Sequence, residues 1–431
     1  MKIDRNNSVL FIYFFILFIS YEVFVVCSSI LIIFLLFHNK NLNLVLKPSV
    51  SKSILFFFYI LKFLSAIFNF DLFWKASSLR SYHTDAKFLD MQAFLLPIKC
   101  NARLTIDEIK IIGLNEYFNC SLKSAYGPLD QFLTFDLNLR FFTFLFSFLL
   151  IVLFLRVSFK LINKNQEYVL IATIIFLSPP INFLIQRMNI DLFIFLLIHL
   201  GYKRFYQKKL IFYSLIIFLS LLKIYVLFVF IGYIFFNALT KKYKKAIGDL
   251  LAAFISLLIY YYFGYFELGS YFNIRPFRPD RSYGLLTELI KMENLGFTGL
   301  YIIFSIIFIS YLCYLFLNQK YLFLDNNLFL STDAWPILFI FIGTCFYANY
   351  DYRIAILIFV PQIFIKLKKN FLFVFLIFIY SHPSILHGYN ESFVLVESYF
   401  IYYLDIIFLV FFHFVFKDLI LYIKNEITSE K

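Results

Sequence analysis

The stretch Phe183–Ile198 reads FLIQRMNIDLFIFLLI, and it sets Arg187, Asn189 and Asp191 within five residues of one another between two strongly apolar runs. Ionisable groups at membrane depth are costly and normally face a cavity, a partner or the interface. Arg187 and Asp191, four residues apart, would also suit a plain ion pair on one helix face. Either reading presupposes lipid around the flanking runs, so this corner is where the fold class is decided.

Composition agrees with a membrane setting. Of 431 residues 62% are hydrophobic and the mean hydropathy is +0.82, well above a soluble domain at about 45–50% apolar. The apolar runs are continuous, the fuller ones about 17–25 residues, rather than short alternating segments, so helices are expected and a β-barrel is not. The 64 Phe and 32 Tyr sit beside abundant Ile, Lys and Asn, a bias that an AT-rich coding sequence would produce, and so they mark no binding site by themselves.

The apolar segments are Val9–Phe37, Ile54–Trp74, Phe141–Ile162, Tyr168–Ile185, Ile190–Leu200, Leu210–Leu222, Ile224–Phe236 and Ala246–Phe266. Further along come Phe297–Leu317, Ala334–Tyr347, Ile354–Ile365, Phe371–Tyr380 and Tyr399–Phe416. The predicted fold is therefore all-α: one polytopic bundle over residues 1–431 with roughly 11 to 13 passes, some short or re-entrant. The first segment is long enough either to cross once or to bend near Ser20 and Glu22. It is also too long for a signal-peptide core and is expected to remain as an anchor.

The net charge of +13 comes largely from clusters in short connectors, such as Lys203, Arg204, Lys208 and Lys209, or Lys241, Lys242, Lys244 and Lys245. That is the positive-inside pattern, which orients a chain, and no basic tail of the nucleic-acid type accompanies it. The opposite, extracytoplasmic connectors then include a long loop over 75–140, a second loop over 267–296, the Arg187–Asp191 corner, the turn at Lys223, the corner Asn349–Arg353 and the segment His382–Glu397. Several flanking spans are only about 11–14 residues long, so these polar corners are expected to dip below the membrane surface.

Five stretches together resemble a known family. QRMNIDLFIFLLI (Gln186–Ile198) is followed by LSLLKIYVLFVFIGYIFFNALTKKYKK (Leu219–Lys245). The long loop holds HTDAKFLDMQAF (His83–Phe94) and NCSLKSAYGPLDQF (Asn119–Phe132), and NYDYRIAILIFVPQ (Asn349–Gln362) lies towards the C-terminus. This pattern resembles polytopic GT-C glycosyltransferases, nearest glycosyltransferase family 87 and related membrane proteins, over roughly Asp71–Leu367. A Gln/Arg-x-x-Asn corner precedes a short span there, and a Lys-x-Tyr/Phe-Pro turn leads to a basic cytoplasmic loop. The chain departs from it at Val226, where the family often has Pro.

The resemblance implies transfer of a sugar from a polyprenyl-phosphate donor to a glycan or glycolipid acceptor at the outer membrane face, with inversion and no cofactor. A positioned carboxylate would take the acceptor proton. In GT-C enzymes it comes from the first long loop, which makes Asp90 the leading candidate and Asp85 the second. Cations would receive the charge of the departing phosphate. Lys223, with Tyr225 in the same turn, Arg187 and Arg353 are the candidates, with Asp351 orienting Arg353, Asn189 near the sugar or phosphate and Asp191 holding the corner in register. Snorkelling of Lys223 towards headgroups is the alternative for that residue.

RPFRPDRSYG carries Arg275, Arg278 and Arg281 at intervals of three, broken by Pro276 and Pro279, which disfavour a regular helix. Such a loop would close over a lipid phosphate or lie on anionic headgroups. Cys100 and Cys120 share the long loop, where a disulfide is expected in an oxidising compartment. There is no metal-ligand spacing, phosphate-cradling Gly-rich loop or nucleophile elbow, and 12 Gly give no support to a Rossmann-type nucleotide-sugar site. Two other readings share the many spans and outer loops: a surface-polysaccharide polymerase or ligase, and a flippase or transporter of lipid-linked sugars. With no eukaryotic targeting signal evident, a bacterial inner membrane is the expected location.

Overall fold

The structure is a computed structural model, and it describes residues 5–37, 46–78, 87–88, 90–92, 94–95, 138–164, 169–205, 208–239, 241–262, 282–283, 336–337, 339–340 and 349–350. These residues are helical apart from turns and one antiparallel pair of two-residue strands, β1 (Ser282–Tyr283) and β2 (Asn349–Tyr350). The chain divides into two compact units. The first runs to Leu200 and includes Leu221–Lys223; the second takes in Gly201–Ser220 and resumes at Ile224.

In the first unit, α1 (Arg5–Ile19) and α2 (Tyr21–Phe37) resolve the ambiguity of the first apolar segment. A straight helix would hold Tyr13 and Ser28 about 22 Å apart. Their hydroxyls are instead hydrogen-bonded at 2.5 Å, and the Tyr13 and Phe24 rings pack at 5.2 Å. The chain therefore folds back at Ser20 as a helical hairpin. With 15 and 17 residues, each arm is shorter than the ~20 residues of a full crossing.

The helix α3 (Pro48–Ile67) starts with proline in its first turn, where the missing N–H costs nothing. Its buried positions Ser51, Leu55, Phe58, Tyr59, Lys62 and Ala66 recur at helical spacing, while Val50, Phe56, Phe57 and Leu61 are exposed. The polar groups are thus on the inside and the exposed stripe is apolar, the reverse of a soluble amphipathic helix and suited to a lipid surround. Beyond Asn69, in the left-handed region with φ 56°, the short helix α4 (Asp71–Ala76) turns back along α3. The long helix α5 (Leu139–Lys164) repeats the pattern, burying Thr143, Ser147, Ile151, Phe154 and Ser158 and exposing Phe141, Leu149 and Val152.

Against α3 and α5 packs a broken helix, α6 (Val169–Phe176) and α7 (Pro179–Arg187), bent by 42°. The cause is local: Pro179 and Pro180 have no N–H to return to the last carbonyls of α6. Side chains fill the gap. Tyr59 donates to the Phe176 carbonyl and Tyr21 to that of Leu177, both at 2.7 Å, while Ser51 and Thr173 bond at 2.6 Å. The expected single segment Tyr168–Ile185 is thus corrected to two helices meeting at a break whose Phe176 and Leu177 carbonyls are taken up by tyrosines.

Next come α8 (Ile190–Phe205) and α9 (Lys209–Leu222), which both continue from one unit into the other, then a 3-10 turn over Ile224–Leu227. In the second unit α10 (Phe228–Leu239) packs along α11 (Tyr243–Tyr262). The buried face of α11 is small or polar, with Ala246, Asp249, Ala252, Ala253 and Ser256, whereas Ile247, Leu250, Leu251 and Phe254 are exposed. Asp249 is held there by the Tyr213 hydroxyl and, at 2.6 Å, by the Asn237 amide.

Among the described residues two helices, Pro48–Ile67 and Leu139–Asn163, are long and apolar enough to cross a membrane, or three crossings if the bent α6–α7 pair counts as one. Shorter apolar helices, including Ile190–Tyr202 and Lys209–Leu222, accompany them. The expected spans from Phe297 onward lie almost wholly outside the described residues, as does most of the loop over 75–140.

Candidate functional site

The opening corner is built by a helix end and a helix start. α7 finishes with Met188 in the left-handed region, φ 51° and ψ 54°. The amides of Met188 and Asn189 return to the carbonyls of Ile185 and Leu184 at 3.2 and 2.9 Å, which is the Schellman closure usually reserved for glycine. A side chain in this conformation costs roughly 1–2 kcal/mol, so the corner is held by its surroundings. α8 then begins with Asn189 as its N-cap, its Oδ1 accepting the Asp191 amide at 2.9 Å.

The capping geometry turns the other end of the Asn189 amide outward. Its Nδ2 donates to Oδ2 of Asp90 at 2.6 Å, and Arg187 grips Oδ1 of the same carboxylate with Nε at 2.9 Å and with a terminal nitrogen. Arg187 also lies over the Phe183 ring, 5.6 Å from its centroid, one turn back on α7. A carboxylate from the long loop and a corner about a hundred residues further on are thereby joined in one cluster. The Asp90 side chain is 9% exposed and that of Arg187 28%, which leaves the cation at the rim and the acid beneath it.

The i, i+4 pairing of Arg187 with Asp191 on one helix is corrected by this geometry, because α7 ends between them and Arg187 reaches Asp90. Asp191 is fully buried in the first turn of α8, where a carboxylate complements the helix dipole, and its amide keeps the corner in register. The segment bearing Asp90 is anchored by backbone and ring contacts: Phe88 donates its amide to the Gln186 carbonyl at 3.2 Å. The Phe88 ring stacks on Phe63 at 6.0 Å and meets Trp74 edge-on at 5.7 Å.

At the outer edge of this segment Lys87 bonds Asp71 at 2.7 Å and Asn69 at 3.0 Å. That contact holds the exposed Asp71 carboxyl below the usual carboxylate range, through the hydrogen bond first and the Lys87 charge second.

The other expected residues are distributed as follows. Lys223 is buried in the first unit, at the break between α9 and the 3-10 turn, and Tyr225 is buried on that turn in the second unit. Asp85, Arg275, Arg278, Arg281, Asp351, Arg353, Cys100 and Cys120 lie outside the described residues. Among the described residues no group of three or more His, Cys, Asp or Glu is placed to hold a metal ion.

A second polar cluster was not anticipated. Lys62, on α3 and 1% exposed, donates to the Ser77 carbonyl at 2.8 Å and to Oδ1 of Asn182 at 2.7 Å, while Nδ2 of Asn182 donates to the same Ser77 carbonyl at 3.0 Å. The ammonium faces the rings of Trp74 and Phe58, 5.4 and 6.0 Å from their centroids. No carboxylate is among its described contacts. The available signal was a lone lysine inside an apolar run, at helical spacing from Ser51, Tyr59 and Ala66.

Chemically, the corner brings a guanidinium and a side-chain amide onto one carboxylate, beside the capped start of α8. Those are the elements of an anion site, and its present anion is Asp90. No family model matches the chain, and no curated protein or solved structure is similar to it.

Proposed function

We propose that the chain is a polytopic membrane glycosyltransferase of the GT-C type. In this reading roughly 11 to 13 passes in a bacterial inner membrane carry a sugar from a polyprenyl-phosphate donor to a glycan or glycolipid acceptor at the extracytoplasmic face. The observation that supports it is the convergence of the loop carboxylate Asp90 with Arg187 and Asn189 at the end of a broken helix.

The resting contacts suggest how the reaction would be gated. Asp90 occupies the anion position when the donor is absent. The donor phosphate competes for Arg187, which frees Oδ1 of Asp90 to receive the proton of the acceptor hydroxyl. The acceptor oxygen bonds the anomeric carbon as the bond to the phosphate oxygen breaks on the opposite face, giving inversion. Polyprenyl phosphate departs with its charge held by Arg187 and the N-terminus of α8. Asn189, fixed by its capping bond, keeps one carboxylate oxygen oriented throughout.

A second reading is favoured by the 42° break between α6 and α7, because discontinuous helices also form the substrate sites of transporters. A lipid-linked sugar flippase would use the same cations on the same phosphate without a proton acceptor. The deciding experiment offers membranes containing wild type or Asp90→Asn a panel of radiolabelled polyprenyl-phosphate sugars and reads both transfer and translocation. The transferase reading expects transfer by wild type and its loss in Asp90→Asn at unchanged expression. Translocation without transfer, equal in both proteins, supports the flippase.

A further inference from the structure

We propose that Lys62 is a positioning residue for the Asp90–Arg187 cluster, acting through Asn182 and the Ser77 carbonyl. The inference rests on the transferase reading for its catalytic consequence, but the geometry it describes stands on its own contacts.

A lysine inside an apolar helix usually has a carboxylate or a route to water, since burying a charge without either is costly. Lys62 has neutral oxygens and aromatic faces instead. Its two acceptors belong to two different pieces of the site: Ser77 follows α4 and leads into the long loop, whereas Asn182 lies on α7, five residues before Arg187. Asn182 closes the triangle by donating to that same Ser77 carbonyl. One ammonium therefore ties the start of the loop to the helix that carries the arginine.

The neighbouring residue of α3 completes the arrangement. Phe63 stacks on Phe88, Phe88 meets Trp74, and Trp74 lies over Lys62. Phe88 is in turn bonded to the Gln186 carbonyl, one residue from Arg187, and stands two residues from Asp90. A single turn of α3 thus holds the Asp90 segment with Phe63 and α7 with Lys62. If Lys62 is removed, the Asn182 amide and the Ser77 carbonyl keep their bond to each other but lose their shared anchor on α3, which leaves the Phe63–Phe88–Gln186 contacts to hold α7 against the loop. The expected result is a longer, more variable separation between Asp90 and Arg187 in a protein that remains folded.

The test needs a readout of position that does not require catalysis. Lys87→Cys and Gln186→Cys, which flank the Phe88–Gln186 backbone bond and leave the Phe88 ring in place, are introduced together and oxidised in membranes, and the linked peptides are quantified by mass spectrometry. The expected outcome is rapid linkage with Lys62 present, and linkage about tenfold slower in Lys62→Met and in Asn182→Leu. The double variant should be no slower than the slower single, because both act through one contact.

In the intact-cysteine background the same substitutions should lower kcat for transfer by a similar factor while KM for the acceptor stays within twofold. If Lys62→Met does not accumulate, Asn182→Leu and Lys62→Gln serve, the glutamine expected to keep part of the linkage by donating to one oxygen. Unchanged linkage in a folded Lys62→Met or Asn182→Leu protein, or multiplying effects in the double variant, would overturn the proposal. Slowed linkage in a protein whose wild type transfers no sugar would support the positioning role and sink the transferase reading instead.

Discussion

Removing Arg187 while leaving Asp90 in place is the perturbation whose size follows most directly from the contacts. Oδ1 of Asp90 accepts two N–H groups from Arg187 and Oδ2 one from Asn189, so Arg187→Met takes the guanidinium away from a largely buried carboxylate. Breaking a fully buried pair in this way costs about 3–5 kcal/mol. The 28% exposure of the Arg187 side chain lets water recover part of that, which brings the expectation to about 2–3 kcal/mol.

Asp90→Asn keeps the shape and removes the charge facing Arg187, whose side chain is 28% exposed to water, at a cost of about 1–2 kcal/mol. The double variant has neither a buried unpaired acid nor a stranded cation, so it should cost about 2 kcal/mol rather than the sum of the singles, a coupling of about 1–3 kcal/mol. Reversible unfolding in mixed micelles, followed for the wild type, both singles and the double, measures the cycle. Effects that add within ~0.5 kcal/mol would refute the claim that the two side chains form one buried unit.

Two further outcomes follow from the same contacts. The hairpin at Ser20 returns α2 alongside α1, so Arg5→Cys and Phe37→Cys should both react with a membrane-impermeant thiol reagent from the same side; labelling from opposite sides would mean a single continuous crossing. Asp71 has its carboxyl depressed by Lys87, so this contact stabilises the folded chain fully above the ordinary carboxylate pKa and loses that stabilisation as pH falls through the depressed value. The thermal midpoint of wild type should therefore fall more between pH 6 and pH 3 than that of Asp71→Asn, and parallel pH curves would show that the contact contributes nothing.

What could be read from the residues divides along physical lines. Arg187, Asn189 and Asp191 announced themselves because charge at membrane depth needs a reason, and the corner they mark does receive Asp90. Its internal logic was hidden: Asn189 serves as an N-cap and as a donor at once, a duty fixed by Met188 in a left-handed turn that no residue pattern marks in advance. Pro179 and Pro180 were a visible breaker inside an apolar run, yet the tyrosine hydroxyls that make the break tolerable come from α2 and α3, far away in the chain. Lys62 was overlooked for the opposite reason. A lysine within a long apolar run barely lowers the run's apolar character, and its meaning appears only once Ser77 and Asn182 are brought to it. Whether α1 and α2 cross or turn back shows in contacts between the arms, the Tyr13–Ser28 hydrogen bond and the Tyr13–Phe24 ring pair, which hydropathy cannot encode.

The central claim is that Asp90 is a resident anion in a site meant for phosphate. Binding of polyprenyl phosphate, the leaving product of the proposed transfer, to purified wild type and Asp90→Asn in micelles tests it most directly. If the carboxylate competes for Arg187, its removal should tighten phosphate binding by roughly tenfold, about 1.4 kcal/mol, even as transfer is lost. Unchanged or weaker binding in Asp90→Asn would contradict the account, since Asp90 would then be a fixed structural partner of Arg187 that no phosphate displaces.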